Sequence, residues 1–165
     1  MEKIFAYQKN PPEKIGDLPK FYQDVNNAIK SLGNYFSDTA GDITVGYLQN
    51  CQVQSSANIH INGTGCYNSQ LKCQGWVKVD GQPGIFRGGR LVAGDNVFVQ
   101  QLGCPSGSPT HIEVPADKKV EAALIHPGVV LKVGDKIYRN DSLGKAFDVY
   151  LDSEGSLQVT KLKGE

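Results

Sequence analysis

The sequence predicts a mainly β protein: a single-stranded parallel β-helix of about five coils, preceded by an amphipathic helix and followed by a section of β-strands. Two observations carry this prediction. A motif with two aliphatic residues two positions apart recurs, as in "NIHI", "WVKV" and "NVFV", at intervals near 20 residues. Glycine is abundant, with 19 among 165 residues, as expected of short strands joined by tight corners. Short strands repeating at this interval are typical of a solenoid, in which each coil stacks on the previous one.

The first predicted part, residues 1–36, is an extended arm followed by a capping helix. Asp17 is suited to cap the helix, Pro19 to its first turn and Gly33 to its end. One helical face is apolar and consists of Phe21, Tyr22, Val25, Ile29 and Leu32. We expect this face to cover the open end of the solenoid, and binding of a partner is the alternative.

The predicted parallel β-helix covers residues 37–115. Four sets of positions repeat at offsets of 18 and then 20 residues: Val53, Leu71 and Leu91; Ser55, Cys73 and Ala93; Ile59, Val77 and Val97; and Ile61, Val79 and Val99. Because side chains alternate across a strand, these sets point into the coil. The intervening residues, such as His60 and Lys78, point outward.

Two less regular coils flank these repeats at shorter offsets. Ile43 and Val45 precede Ile59 and Ile61, and Ile112 and Val114 follow Val97 and Val99. A right-handed solenoid is favoured, since parallel crossovers are right-handed by strong preference. The six-residue step within each coil also fits a left-handed hexapeptide coil, although that pattern fails at Gly65, Pro83 and Gly103.

Residues 116–165 form the third predicted part. Stretches such as "ALIHPGVVLKVGDKIYR" alternate in polarity and contain glycine turns, which favours strands of antiparallel style. We predict a C-terminal β section that packs on the β-helix or caps its second end.

The charge pattern bears on possible partners. Basic and acidic residues balance within each part: five of each in residues 1–40, four of each in 41–115 and eight of each in 116–165. No segment therefore has the one-sided basic field that nucleic acid or an anionic membrane requires. No apolar run is long enough to span a bilayer, and no export signal is evident. We expect a cytoplasmic protein without nucleic-acid binding or membrane insertion.

The cysteines do not predict a metal site. Cys51, Cys66, Cys73 and Cys104 lack CxxC spacing and a nearby histidine pair, so we expect reduced and inert thiols rather than zinc ligands. We predict no metal and no cofactor.

The outward positions do not predict catalysis either. One outward column holds Thr44, His60, Lys78 and Phe98, and another holds Gln52, Gln70 and Arg90, so no carboxylates meet on neighbouring coils. Asp42 and Asp95 lie at corners, where aspartate is commonly structural. The stretch "GIFRGGR", with Arg87 and Arg90, resembles an anion site only weakly, because it lacks the Lys-Ser/Thr end of a P-loop. We therefore predict no catalytic residue.

Several stretches in order resemble a known family. "GDITVG", "ANIHING", "LKCQGWVKV", "GIFRGGRLVAGDNVFVQQLGC" and "THIEV" are similar to the β-helix of the bacterial flagellar assembly protein A family, and "IHPGVVLKVGDKIY" is similar to its late strand. The family's long coiled coil and large N-terminal domain have no counterpart here, so we expect an excised fragment or a minimal relative. The resemblance implies a non-enzymatic structural scaffold of flagellar assembly or cell-surface organisation, whose β-helix polymerises or contacts protein partners. A polysaccharide-binding or polysaccharide-cleaving β-helix of the pectate-lyase type is the alternative.

Overall fold

A computed structural model describes residues 15–33 and 41–163. The chain divides into two compact units, Met1–Thr39 and Ala40–Glu165. In the first unit, a short 3₁₀ turn at Ile15–Asp17 leads into helix α1, Leu18–Gly33. The predicted arm over residues 1–14 and the side chains of Ile29 and Leu32 lie outside the described residues. The capping role of the helix stays a prediction. No helix in the described ranges is long and apolar enough to cross a membrane.

The second unit contains the described strands. Their bounds are β1 Ile43–Gln49, β2 Gln52–Ser55, β3 Ile59–Cys73, β4 Val77–Val79, β5 Ile85–Ala93, β6 Val97–Leu102, β7 Thr110–Val114, β8 Val120–Ile125, β9 Val129–Val133, β10 Lys136–Arg139, β11 Gly144–Leu151 and β12 Leu157–Lys163. Strands make up more than half of the described residues, which confirms the mainly β prediction.

Parallel pairing arranges these strands in three stacks. The first stack contains residues 43–45, 59–61, 77–79, 97–99 and 120–122. The second contains 47–49, 65–67, 85–87, 101–102 and 124–125. The third contains 52–55, 70–73, 89–93, 110–114 and 129–133. Each coil contributes one segment to every stack, so the fold is a β-solenoid of about five turns.

The predicted inward sets pair in register. Ile59, Val77 and Val97 are direct neighbours in the first stack, and each is at most 1% exposed. In the third stack, Leu71 lies between Val53 and Leu91. Stacking of equivalent aliphatic side chains therefore builds one core along the solenoid.

The assignment of Ile112 and Val114 to the column of Val97 and Val99 is wrong. Ile112 pairs with Leu91 in the third stack, and Val97 is followed by Val120. The reason is that Ile112 follows Leu91 by 21 residues, close to the 18- and 20-residue offsets of the repeat, and so continues the third stack. The 15 residues from Val97 to Ile112 instead connect the first and third segments of one coil. The predicted offset from Val97 to Ile112 therefore joins two different stacks.

Parallel pairing continues beyond residue 115, the predicted end of the β-helix, to Val133. Strands β10 and β11 then pair antiparallel with β9 and β8, and β12 pairs antiparallel with β11. Val149 and Phe147 lie opposite Val120 and Ala122, and both are buried. The chain thus covers the backbone edges of the fifth coil with strands of reversed direction.

Candidate functional site

The outward side chains of the third stack form two long columns. From the first coil onward, one column is Gln52, Gln70, Arg90, His111, Val130 and Arg139, and the other is Gln54, Lys72, Val92, Glu113, Lys132 and Ile137. The predicted outward column of Gln52, Gln70 and Arg90 is confirmed. We call these twelve residues the basic face, because they include four cations and one carboxylate.

Arg90 is at the centre of this face. Three adjoining furrows, of about 750, 350 and 410 Å³, share it. The largest lies at the corner between the second and third stacks and is lined by carboxamides from the first two coils, including Asn50 and Asn68. The other two follow the third stack. The solenoid therefore presents a continuous grooved surface across successive coils.

The corner beside Arg90 is built from backbone. Gly89 has φ +93, and a Cβ there would lie 2.1 Å from the carbonyl oxygen of Ser69, so glycine is required. The preceding Gly88 donates its N–H to Thr110 Oγ1 at 2.9 Å. Gly88 and Gly89 of "GIFRGGR" thus form a tight corner, and both line the largest furrow.

A carboxylate bridges two cations on the basic face. Arg90 Nη2 donates to Glu113 Oε2, and Lys132 Nζ donates to Glu113 Oε1, each at 2.7 Å. These hydrogen bonds, first that of Lys132 and then that of Arg90, lower the pKa of Glu113. Glu113 is therefore an ionised structural partner at neutral pH.

Arg87 lies next to the basic face, at the furrow corner. Its Cζ atom is 4.8 Å from the centroid of the Tyr67 ring, a cation–π arrangement. Asn68 Nδ2 donates to Asn50 Oδ1 at 2.8 Å on the adjoining coil. Planar side chains of neighbouring coils thus stack along this edge of the groove.

The first stack carries a second polar cluster. His60 Nε2 lies 2.6 Å from Asp80 Oδ1, and Lys78 Nζ lies 2.7 Å from Asp80 Oδ2. The hydrogen bond from Lys78 is the main cause of a lowered pKa at Asp80. The predicted column of Thr44, His60 and Lys78 is confirmed, and it leads to Phe98. The carboxylate of Asp80 accepts the contacts of both His60 and Lys78.

Two carboxylates meet between the fifth coil and an antiparallel strand, where the expectation about neighbouring coils does not apply. Asp148 lies directly opposite Glu121, because β11 runs antiparallel to β8 and returns along the first stack. The Oδ1 atom of Asp148 is buried without a hydrogen-bond partner. Burial first, and Glu121 to a smaller extent, raise the pKa of Asp148. The sequence does not predict this pair, because the repeat of the parallel coils does not extend to β11.

The corner aspartates make structural contacts. Asp42 Oδ1 accepts hydrogen bonds from Asn58 N at 3.1 Å and from Asn58 Nδ2 at 2.9 Å. Asp95 Oδ1 accepts one from Asn96 N at 2.7 Å. Within the described ranges, no group of three or more His, Cys, Asp or Glu side chains is arranged to hold a metal.

The four cysteines are free thiols in different environments. Burial raises the pKa of Cys66 to about 12 and also raises that of Cys73. Cys104 differs, because hydrogen bonds with Ser106 and Ser108 lower its pKa to about 7. Cys51 is half-buried, with its Sγ 3.5 Å from Ser69 Oγ. Ser106 and Ser108, the partners of Cys104, also line the largest furrow.

Comparison with protein families finds one match. The model of the Flagellar Assembly Protein A beta solenoid domain matches residues 38–126, which include the first four coils and β8. No curated protein and no solved structure matches the chain.

Proposed function

This chain belongs to the Flagellar Assembly Protein A β-solenoid family, and on this premise we propose that it is a non-enzymatic scaffold that contributes to flagellar assembly or cell-surface organisation through protein partners. The observation that carries the proposal is the continuous basic face over a closely stacked core. A rigid surface of this kind binds a partner with little ordering cost, because its side chains are already aligned. We place this role in the bacterial cytoplasm.

The state of the outward carboxylates supports a role without chemistry. A polysaccharide-cleaving β-helix needs a group that gives or takes a proton near neutral pH. Asp80 and Glu113 each lie between two basic side chains, which lower their pKa values. Each carboxylate is suited to hold its neighbours in place and poorly suited to proton transfer.

The test is removal of the gene from its bacterium, followed by complementation. We expect fewer or misplaced flagella by electron microscopy and slower swimming, both restored by the wild-type chain. Asp80→Asn and Asp148→Asn should restore them equally, because neither carboxylate takes part in a reaction.

Two results would contradict the proposal. Flagellar number, position and swimming that do not change on deletion would remove the flagellar role. Complete loss of function in Asp80→Asn or Asp148→Asn, with folding and abundance intact, would indicate chemistry at that carboxylate.

A further inference from the structure

The basic face has a charge that the chain as a whole does not have. The formal net charge of the chain is zero, yet the face holds Lys72, Arg90, Lys132 and Arg139 with Glu113 as its single carboxylate. These cations come from four different strands, β3, β5, β9 and β10. Coiling places these cations on one surface, and Arg87 at the bordering corner adds a fifth positive charge.

Apolar side chains lie between these cations. Val92 follows Lys72 in one column, and Val130 precedes Arg139 in the other. Ile137, beside Lys132, is 56% exposed. A ligand that matches this face needs both negative charges and apolar groups. A polypeptide offers both, whereas a nucleic-acid backbone or a uronic-acid polymer has no aliphatic side chains.

Glu113 shows how the face receives a carboxylate. Its two oxygens are held by Arg90 and Lys132 at 2.7 Å each, while its own side chain stays 28% exposed. Arg90 is 63% exposed and Lys132 is 43% exposed, so each has donors left for a second acceptor. The internal carboxylate therefore competes with any ligand carboxylate for the same two cations.

We propose that the basic face is the docking site for an extended acidic segment of a partner protein, in which the side chains on one side of the segment, at every second position, include both Asp or Glu and aliphatic residues. This inference rests on the proposed scaffold role and names the chemistry of its partner. From Lys72 to Arg139 the face crosses four coil steps of about 4.8 Å each, roughly 19 Å, which about six extended residues span. Every second side chain of the segment points to the face, where carboxylates pair with cations such as Arg90 or Lys132 and aliphatic side chains lie on apolar residues such as Val130.

The test uses the full chain and a fluorescent octapeptide, Glu-Ser-Val-Ser-Glu-Ser-Val-Ser, titrated by fluorescence anisotropy. Its Glu and Val side chains fall on the same side of an extended chain. The peptide should bind, and its Kd should rise with salt because the partly exposed charges are screened. Arg90→Gln with Lys132→Gln should raise Kd at least about tenfold, since charge-assisted hydrogen bonds are lost. Glu113→Gln should lower Kd several-fold, because it removes the internal competitor. Lys145→Gln, on the second stack, is the matched control and should leave Kd unchanged.

Four results would overturn the inference. The first is no binding of the peptide, and the second is an unchanged Kd for Glu113→Gln while its thermal melt matches that of the wild type. The third is equal affinity for the octapeptide with Gln in place of Glu. The fourth is equal affinity for oligogalacturonate or a dT oligonucleotide. Light scattering that shows a dimer lost in the Arg90→Gln and Lys132→Gln variant would assign the face to a second copy instead.

The two proposals fail separately. A chain that binds the peptide but whose deletion leaves flagella normal has lost only the flagellar role. A chain that restores flagella but does not bind the peptide has lost only this docking site.

Discussion

At the scale of single residues, close approach between coils determines which side chains the corners accept. Gly46, Gly63 and Gly81 follow the first stack on successive coils. A Cβ on Gly81 would lie 1.9 Å from the carbonyl oxygen of Gly63, and one on Gly63 would lie 2.3 Å from that of Gly46. A Cβ on Gly46, in the first coil, would have no heavy atom within 4 Å. Contact with the preceding coil is therefore what requires glycine here.

Gly81→Ala should destabilise the solenoid by about 1–3 kcal/mol, the usual cost of overpacking, because the backbones of the second and third coils must separate. Gly46→Ala is the matched control and should change the free energy of unfolding little. Urea unfolding of both variants measures the difference. Equal stabilities would mean that the coils are not in contact at this corner.

Asp148 is a residue whose environment opposes its charge. Burial raises its pKa from the ordinary 3.8, so the folded state holds this proton more tightly than the unfolded state. The stability contributed by protonation is present below the ordinary pKa and is lost as the pH rises through the folded pKa. At neutral pH the ionised carboxylate therefore costs stability.

Asp148→Asn should raise the melting temperature at pH 7, on the scale of about 1 kcal/mol for a buried polar atom without a partner. The advantage should shrink as the pH falls through the raised pKa of the folded state and should be smallest below the ordinary pKa of aspartate, where the carboxyl is neutral in both states. Thermal melts across this pH range measure the effect. A variant that melts below the wild type at pH 7, or a difference that does not depend on pH, would contradict this account.

At the scale of elements, the repeat in the sequence predicts the pairing of the parallel strands but not that of the antiparallel ones. The inward sets from Val53 to Val99 are predictable because each position must be apolar and the offset stays at 18 or 20 residues. The assignment of Ile112 fails because its offset of 15 from Val97 is a distance within one coil, whereas Ile112 follows Leu91 by 21 residues in the third stack. The partnership of Asp148 with Glu121 depends on a reversed strand, to which a parallel repeat does not apply.

Strand β11 should be the more important of the last two strands. Its Phe147 and Val149 are buried against the fifth coil, whereas Val159 and Leu162 of β12 are 38% and 63% exposed. Deleting residues 141–165 should lower the melting temperature and cause self-association, since it opens an apolar strand edge. Deleting only residues 156–165 is the control and should have a smaller effect on both.

Light scattering and melts of the two truncations distinguish these effects. A monomeric chain without residues 141–165, as stable as the shorter truncation, would show that β11 does not protect the fifth coil.

At the scale of the whole molecule, stacking converts local charge balance into one charged face. Each part of the sequence has equal numbers of basic and acidic residues, which led to the expectation of no one-sided field. The register instead aligns Lys72, Arg90, Lys132 and Arg139 with a single carboxylate. The sequence repeat predicts that Gln52, Gln70 and Arg90 lie in one column, and the register confirms this. The repeat does not predict the later members of the column, because these depend on the register of β7, β9 and β10.

Every surface in this account depends on one register, in which Val77 points inward and Lys78 points outward. Thermal melts of Val77→Asp and Lys78→Ala test this register most directly. Val77 is 1% exposed between Ile59 and Val97, so Val77→Asp should bury an unpaired charge and cost several kcal/mol, on the order of the whole stability of a domain. Lys78→Ala loses only a partly exposed ion pair with Asp80 and should cost at most about 1 kcal/mol. A Val77→Asp chain that melts with the wild type, or a Lys78→Ala chain that unfolds instead, would contradict the stacked-coil register.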